Sequence, residues 1–225
     1  SGTRSKTVVV NPTVGMPITP SGTTARCIGS GTDTYTIASV SGATSYSWAV
    51  SGGNVIGAST TSPSNNVTWN PDFSGTATVS VQANGCGGPS DWAMLDVVVS
   101  PLTVGGSVSG GDTICVGSST GDLTLSGHTG TIIKWQKRLG EASWTDISNT
   151  TTTHSEVIAS PGNWSFRAEI QSGSCDATFS DHTVVVVSPT TVAGTLSGGG
   201  SIACGASTGS MTLSGHTGSV VTWQK

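Results

Sequence analysis

Apolar residues recur along much of this chain with a period of two, the spacing that puts alternate side chains on one face of a β-strand. Tyr46, Trp48 and Val50 alternate with Ser45, Ser47 and Ala49, and Val79, Val81 and Ala83 alternate with Thr78, Ser80 and Gln82. Further on, Trp164, Phe166, Ala168 and Ile170 alternate with Ser165, Arg167, Glu169 and Gln171. Each run predicts a strand with one buried and one wetted face. Ile133 and Trp135 are expected on one face of another strand. Gly52-Gly53, Ser74-Gly75, Pro161-Gly162 and Ser172-Gly173 punctuate the runs as turns.

The pattern is itself periodic on a longer scale. Thr7-Val-Val-Val-Asn-Pro12, Asp96-Val-Val-Val-Ser-Pro101 and Val184-Val-Val-Val-Ser-Pro189 read as closing strands, with prolines 89 and then 88 residues apart. A proline after each strand fixes φ, donates no hydrogen bond and stiffens the junction to the next domain. Gly117 to Lys137 and Gly205 to Lys225 align without gaps and share Thr-Leu-Ser-Gly-His-Thr-Gly at Thr124 to Gly130 and Thr212 to Gly218. The expected division is therefore a last strand of a preceding domain at 1–12, complete β-sandwiches at 13–101 and 102–189, and the opening part of a further, truncated repeat at 190–225.

Five cysteines keep the same time. Cys27, Cys115 and Cys204 recur at intervals of 88 and 89, and Cys86 and Cys175 at 89. Within a repeat the two classes stand 59 residues apart (Cys27 and Cys86) or 60 apart (Cys115 and Cys175), which predicts one disulfide per domain, Cys27 with Cys86 and Cys115 with Cys175. Cys204 is left unpaired, its partner falling beyond Lys225. Closing such loops removes unfolded-state entropy worth about 4 kcal/mol each. Disulfides persist in oxidising surroundings, so the chain is expected outside the cytoplasm, exported or at the cell surface.

Composition agrees with strands. Only 9% of residues are charged, and Gly, Ser, Thr and Val dominate over helix formers. About seven short strands per repeat, with a tryptophan on a central strand and a disulfide, describe an all-β protein of tandem immunoglobulin-like sandwiches. The net charge of −4 and the scattered basic residues leave no stripe to neutralise phosphates or anionic lipid, so no nucleic-acid partner is expected. The longest valine runs fall far short of the roughly 20 apolar residues of a membrane span, and no membrane insertion is expected.

Four sets of words carry a family resemblance: Ser-Gly-His-Thr-Gly (126–130), Lys-Trp-Gln-Lys (134–137), Ser-Trp-Thr-Asp-Ile (143–147) and Gly-Asn-Trp-Ser-Phe-Arg-Ala (162–168). They resemble the Ig-like repeats of SprB-type gliding-motility adhesins of Bacteroidota. Residues 13–101, with Ser45-Tyr-Ser-Trp48, Val67-Thr-Trp69 and Asn84-Gly-Cys86-Gly, are similar to the PKD-like domains that accompany them. The resemblance implies a long surface fibre exported by type IX secretion, moved by the gliding machinery and gripping the substratum or surface polysaccharide. Neighbouring repeats of the same chain would be its structural partners. The alternative is a carbohydrate-binding or spacer module of a secreted polysaccharide-degrading enzyme.

Reactive chemistry is sparse. Three Glu and nine Asp are dispersed, with Thr32-Asp-Thr34 and Ser180-Asp-His182 read as turns, and no Gly-x-Ser-x-Gly word precedes a helix. Catalytic residues are not expected, and the chain is read as no enzyme. No cofactor is implied. No metal site is implied either, because there is no Cys-x-x-Cys, no His stands at ligand spacing from a cysteine, and acidic residues near the proline junctions are too few to cage calcium. His128 and His216, flanked by glycines, read as turn residues. Trp144 reads as packed beside Trp135. Trp92, expected to face outward with Met94 while Leu95, Val97 and Val99 face inward, is the candidate ligand contact, since an exposed indole is a platform for a sugar ring. Asp112-Thr113-Ile114 resembles the O-glycosylation word of exported proteins of that phylum, with Thr113 as acceptor.

Overall fold

The computed structural model describes Arg4, Lys6 and residues 13–224. The strand expected at 1–12 therefore lies outside the described residues. The regular elements among the described residues are all β-strands. The chain falls into two compact units, one of Ser1–Gly106 with Gly127–Ile133 and Glu169–Ser180, the other of Ser107–Ser126, Lys134–Ala168 and Asp181–Lys225. Two segments of the second sequence repeat, 127–133 and 169–180, thus belong to the first unit.

The first unit is built on β1 (Ala25–Cys27), β2 (Thr32–Thr36), β3 (Ala43–Val50), β4 (Gly53–Val55), β5 (Ser59–Thr60), β6 (Ser64–Trp69), β7 (Gly75–Gly85), β8 (Gly88–Pro89) and β9 (Ala93–Ser100). One sheet has the order β1-β9-β7-β3-β5, with β8 folded back on β7, and the other the order β2-β6-β4. Strand β1 runs parallel to β9, with Cys27 opposite Ser100. The alternation read from sequence decides which side chains fill the space between the sheets. Val79, Val81, Ala83 and Val97 are fully buried, Tyr46 and Trp48 nearly so, and Tyr35, Val67 and Trp69 meet them from the facing sheet. Burying a side chain of this size contributes about 1.5–3 kcal/mol, so the paired valine rows dominate cohesion here.

The second repeat supplies β10 (Ser107–Ser109), β11 (Thr113–Cys115), β12 (Leu123–Ser126), β13 (Thr131–Leu139), β14 (Thr145–Ile147), β15 (Thr153–His154), β16 (Gly162–Gln171), β17 (Thr178–Phe179) and β18 (Thr183–Ser188). Its sheets are β11-β18-β16-β13-β14, with β17 on β16, and β10-β12-β15. Here β11 runs parallel to β18 and sets Cys115 opposite Ser188, the register of β1 on β9 over again. Trp135, Leu123, Phe166, Ala168, Ile170 and Val185 are fully buried. Ile133, expected on one face with Trp135, is 41% exposed, whereas Ile132 is 4% exposed and Trp135 fully buried. Buried positions 132 and 135 have opposite parity, so strict alternation slips by one residue between them. A final hairpin, β19 (Thr195–Ser197) with β20 (Thr212–Ser214), repeats the pairing of β10 with β12.

Candidate functional site

The most constrained chemistry surrounds the disulfide, and it is not the predicted one. Cys27 is bonded to Cys175, across a sequence separation of 148 residues, while Cys86, Cys115 and Cys204 are free and exposed. The expected pairs, Cys27 with Cys86 and Cys115 with Cys175, are thereby corrected, and so is the expectation of one bridge inside each domain. The reason is geometric, because a disulfide requires Cα atoms within about 4.4–6.8 Å, and the turn that follows β16 is seated against the end of β9. In that seat Ser174 N donates to Ser100 Oγ at 3.3 Å, Ser172 N donates to Thr103 Oγ1 at 3.0 Å, and Cys175 Sγ lies 3.2 Å from the Pro101 carbonyl oxygen. A Cβ on Gly173, whose φ is +50°, would collide with Ser100 Oγ, so only glycine permits the approach. The Cα atoms of Cys27 and Cys175 end 4.6 Å apart.

Val104 pairs with Thr129 in the same region, through Thr129 N to Val104 O at 2.9 Å and Val104 N to Thr129 O at 3.2 Å. His128, which precedes Thr129, sits half-buried in the turn between β12 and β13, with Gly127 and Gly130 at φ +69° and +122°.

A polar cluster close to β1 escaped the sequence reading. Asp33 is not a turn residue but lies in β2, on the face shared with Tyr35, and accepts Trp69 Nε1–H at 2.7 Å and Arg26 at 3.2 Å on the same oxygen. The Arg26 guanidinium lies 5.1 Å from the Trp69 ring centroid and also donates to the carbonyls of Cys27 and Gly29. Tyr35 O–H donates to the Thr23 carbonyl, and burial, with Asp33 beside it, pushes its phenol from 10.0 up to about 12, against the opposing pull of Arg26. An acidic residue in phase with a run of inward apolar ones was the available signal.

The indoles divide by environment. Trp135 Nε1–H donates to the Thr151 carbonyl at 2.9 Å inside the core. Trp144 is covered by guanidinium groups, Arg167 at 4.1 Å and Arg138 at 4.7 Å from its ring centroid, with His182 edge-on at 6.3 Å. A sugar could not stack on that ring without displacing an arginine. Trp92 is 37% exposed and Met94 57%, on the outer side of β9, while Ala93, Val97 and Val99 are buried. Thr113 is exposed on β11, opposite Val186.

Among the described residues no three His, Cys, Asp or Glu side chains gather as a metal site, and no pocket is found. No helix among them is long and apolar enough to cross a membrane.

Two-sheet packing, strand order and the tryptophan on a central strand define an all-β protein of the immunoglobulin and PKD type, a class whose modules are typically structural and non-catalytic. Residues 12–97 match the family model of a PKD-like domain, and residues 104–189 match that of a domain of unknown function (DUF8696). Among curated proteins none matches the chain. Among solved structures it is similar to three immunoglobulin domains of titin, at 13% identity and TM-score 0.54, over 82% of this chain and 69% of that one. It also matches a marsupial T cell receptor at 13% identity and TM-score 0.49, over 80% and 76% of the two chains. The D00–D0 domains of intimin match at 12% identity and TM-score 0.41, over 77% and 99%. The titin likeness shows the fold, and the disulfide fits a secreted or surface protein.

Proposed function

We propose that this chain is a repeat region of a large secreted cell-surface adhesin, a structural and adhesive fibre serving surface attachment and gliding motility. The carrying observation is the Cys27–Cys175 bond, which closes 148 residues of chain and so keeps two sequence repeats from being drawn out separately. A covalent tie of this kind suits a protein that carries load. In single-molecule pulling, reducing the bond is expected to release up to about 500 Å of extra contour length, at roughly 3.3–3.6 Å per residue. In the producing cell, deletion of residues 13–189 is expected to weaken attachment and spreading on surfaces; unchanged attachment and motility would remove the adhesin reading.

One observation favours the second reading, a carbohydrate-binding or spacer module of a secreted polysaccharide-degrading enzyme. Trp92 and Met94 are exposed, and Met94 is paired with Ser80 on the outward, hydroxyl-rich face of β7. A glycan array separates the two: sugar binding lost on Trp92→Ala supports the carbohydrate module, and an array without signal leaves Trp92 as a surface residue of the fibre.

A further inference from the structure

Two places in this chain are built to the same plan, and only one of them is filled. At the first, β1 lies parallel to β9 with Cys27 opposite Ser100, Ile28 N donates to Ser100 O at 2.8 Å, and Pro101 follows. At the second, β11 lies parallel to β18 with Cys115 opposite Ser188, Val116 N donates to Ser188 O at 2.9 Å, and Pro189 follows. The segments beyond the prolines also agree. Thr129 N donates to Val104 O at 2.9 Å after the first, and Thr217 N donates to Val192 O at 3.0 Å after the second. Gly106 and Gly194, one period apart, both take positive φ, at +69° and +76°.

The two places differ in what covers them. Ser100, under the Ser172–Cys175 turn, is 6% exposed and Cys27 is bonded. Ser188 is half-buried, Pro189 is exposed and Cys115 is an exposed free thiol.

We infer that Cys115, Ser188 and Pro189 form a docking site for the cysteine-bearing turn of the repeat that follows, and that the two join by a disulfide of the Cys27–Cys175 kind. The occupant is defined by the filled site: a Gly-Ser-Cys turn at the end of a long strand, with glycine two residues before the cysteine so that its backbone can lie on the serine hydroxyl. Cys86 follows β7 as Cys175 follows β16, but Asn84 stands where the filled site has Gly173, so Cys86 is not assigned to a site of this kind. The second repeat is then linked to the one that follows it as the first is linked to the second. In forming the bond two thiols give up two electrons and two protons to a thiol–disulfide oxidant, whose own disulfide is reduced to two thiols.

Peptide mapping of the native protein, thiol-blocked at harvest and digested without reduction, tests it. The Cys115 peptide is expected joined to a cysteine peptide from outside residues 1–225. Recovery of Cys115 alkylated, or joined to Cys86 or Cys204, overturns the inference. A second measurement uses the full chain with a copy of residues 138–189 appended after Lys225, which completes the third repeat, oxidised with glutathione disulfide. The appended copy of Cys175 is expected on Cys115, with Cys27–Cys175 retained as the sign of correct folding; a bond from that copy to Cys204, or a free appended thiol, overturns it.

Discussion

Asp33 accepts the indole N–H of Trp69 at 2.7 Å with the same carboxylate oxygen that takes Arg26 at 3.2 Å, so one acidic side chain satisfies two partners at the edge of the core. Removing it leaves an indole N–H and a guanidinium that are 3% and 14% exposed by residue and side chain respectively. Asp33→Ala is expected to destabilise the protein by about 2–3 kcal/mol in urea unfolding, and Asp33→Asn by less, because an unmet buried donor loses its full hydration. A loss below about 0.5 kcal/mol for the alanine variant would show that water replaces the carboxylate.

Trp48 and Trp135 occupy corresponding central strands but differ at the nitrogen. Trp135 Nε1–H reaches the Thr151 carbonyl, whereas Trp48 Nε1 is buried without a partner. Phenylalanine at either site leaves a cavity, yet only at 135 does it break a hydrogen bond. Trp135→Phe should therefore be the more destabilising by about 1 kcal/mol. The reverse order in calorimetry contradicts the assignment.

Tyr35 carries an alkaline signature. Its folded phenol is raised from 10.0 to about 12, first by burial and then by Asp33. A raised acid contributes stability fully below its unfolded value, and that stability is lost as pH climbs from about 10 towards about 12. Spectrophotometric titration is expected to show one tyrosinate forming late, and Tyr35→Phe to flatten the fall in stability above pH 10. An ordinary phenol titration in the folded protein rules this out.

His154 acts at the acid end. Burial holds its imidazole below the ordinary 6.5, overriding the upward pull of Glu156, while Trp135 and Phe166 rings stand 5.7 and 6.0 Å away. The unfolded chain then binds a proton more readily than the folded one, so stability is present above about 6.5 and declines as pH falls through the folded value. His154→Gln should shrink the drop in melting temperature between pH 7 and 5. An unchanged drop assigns the acid sensitivity to other groups.

Thiol titration of the denatured, unreduced 225-residue chain should count three free cysteines of five, Cys86, Cys115 and Cys204. Replacing Cys27 and Cys175 together by serine is expected to remove up to about 5 kcal/mol, from the entropy of a loop of this length. Five free thiols, or one, would contradict the pairing.

Much of the core could be read directly. Val79, Val81, Ala83, Phe166, Ala168 and Ile170 are buried because a strand's side chains alternate, although Trp164, in the same row, is only half-buried and Ser165 beside it is buried. Trp92 faces solvent for the same reason. Asp33 has the residue type of a turn but the phase of a strand, and its position in line with Tyr35 sets it inward. Ile132, not Ile133, is buried with Trp135, because both isoleucines are apolar and which one faces the core depends on a local slip that packing sets.

The chain alone settled its strand character and its period near 88 residues, since both follow from local stereochemistry and from counting. It could not settle which sulfur meets which. Two cysteine classes alternating at fixed intervals are satisfied equally by a bond within a repeat or by one reaching into the next, because sequence spacing records translation along the chain and not neighbourhood in space. Only the seating of Gly173, Ser174 and Cys175 on Ser100 brought one pair of Cα atoms within bonding reach, and that contact exists only in the folded chain.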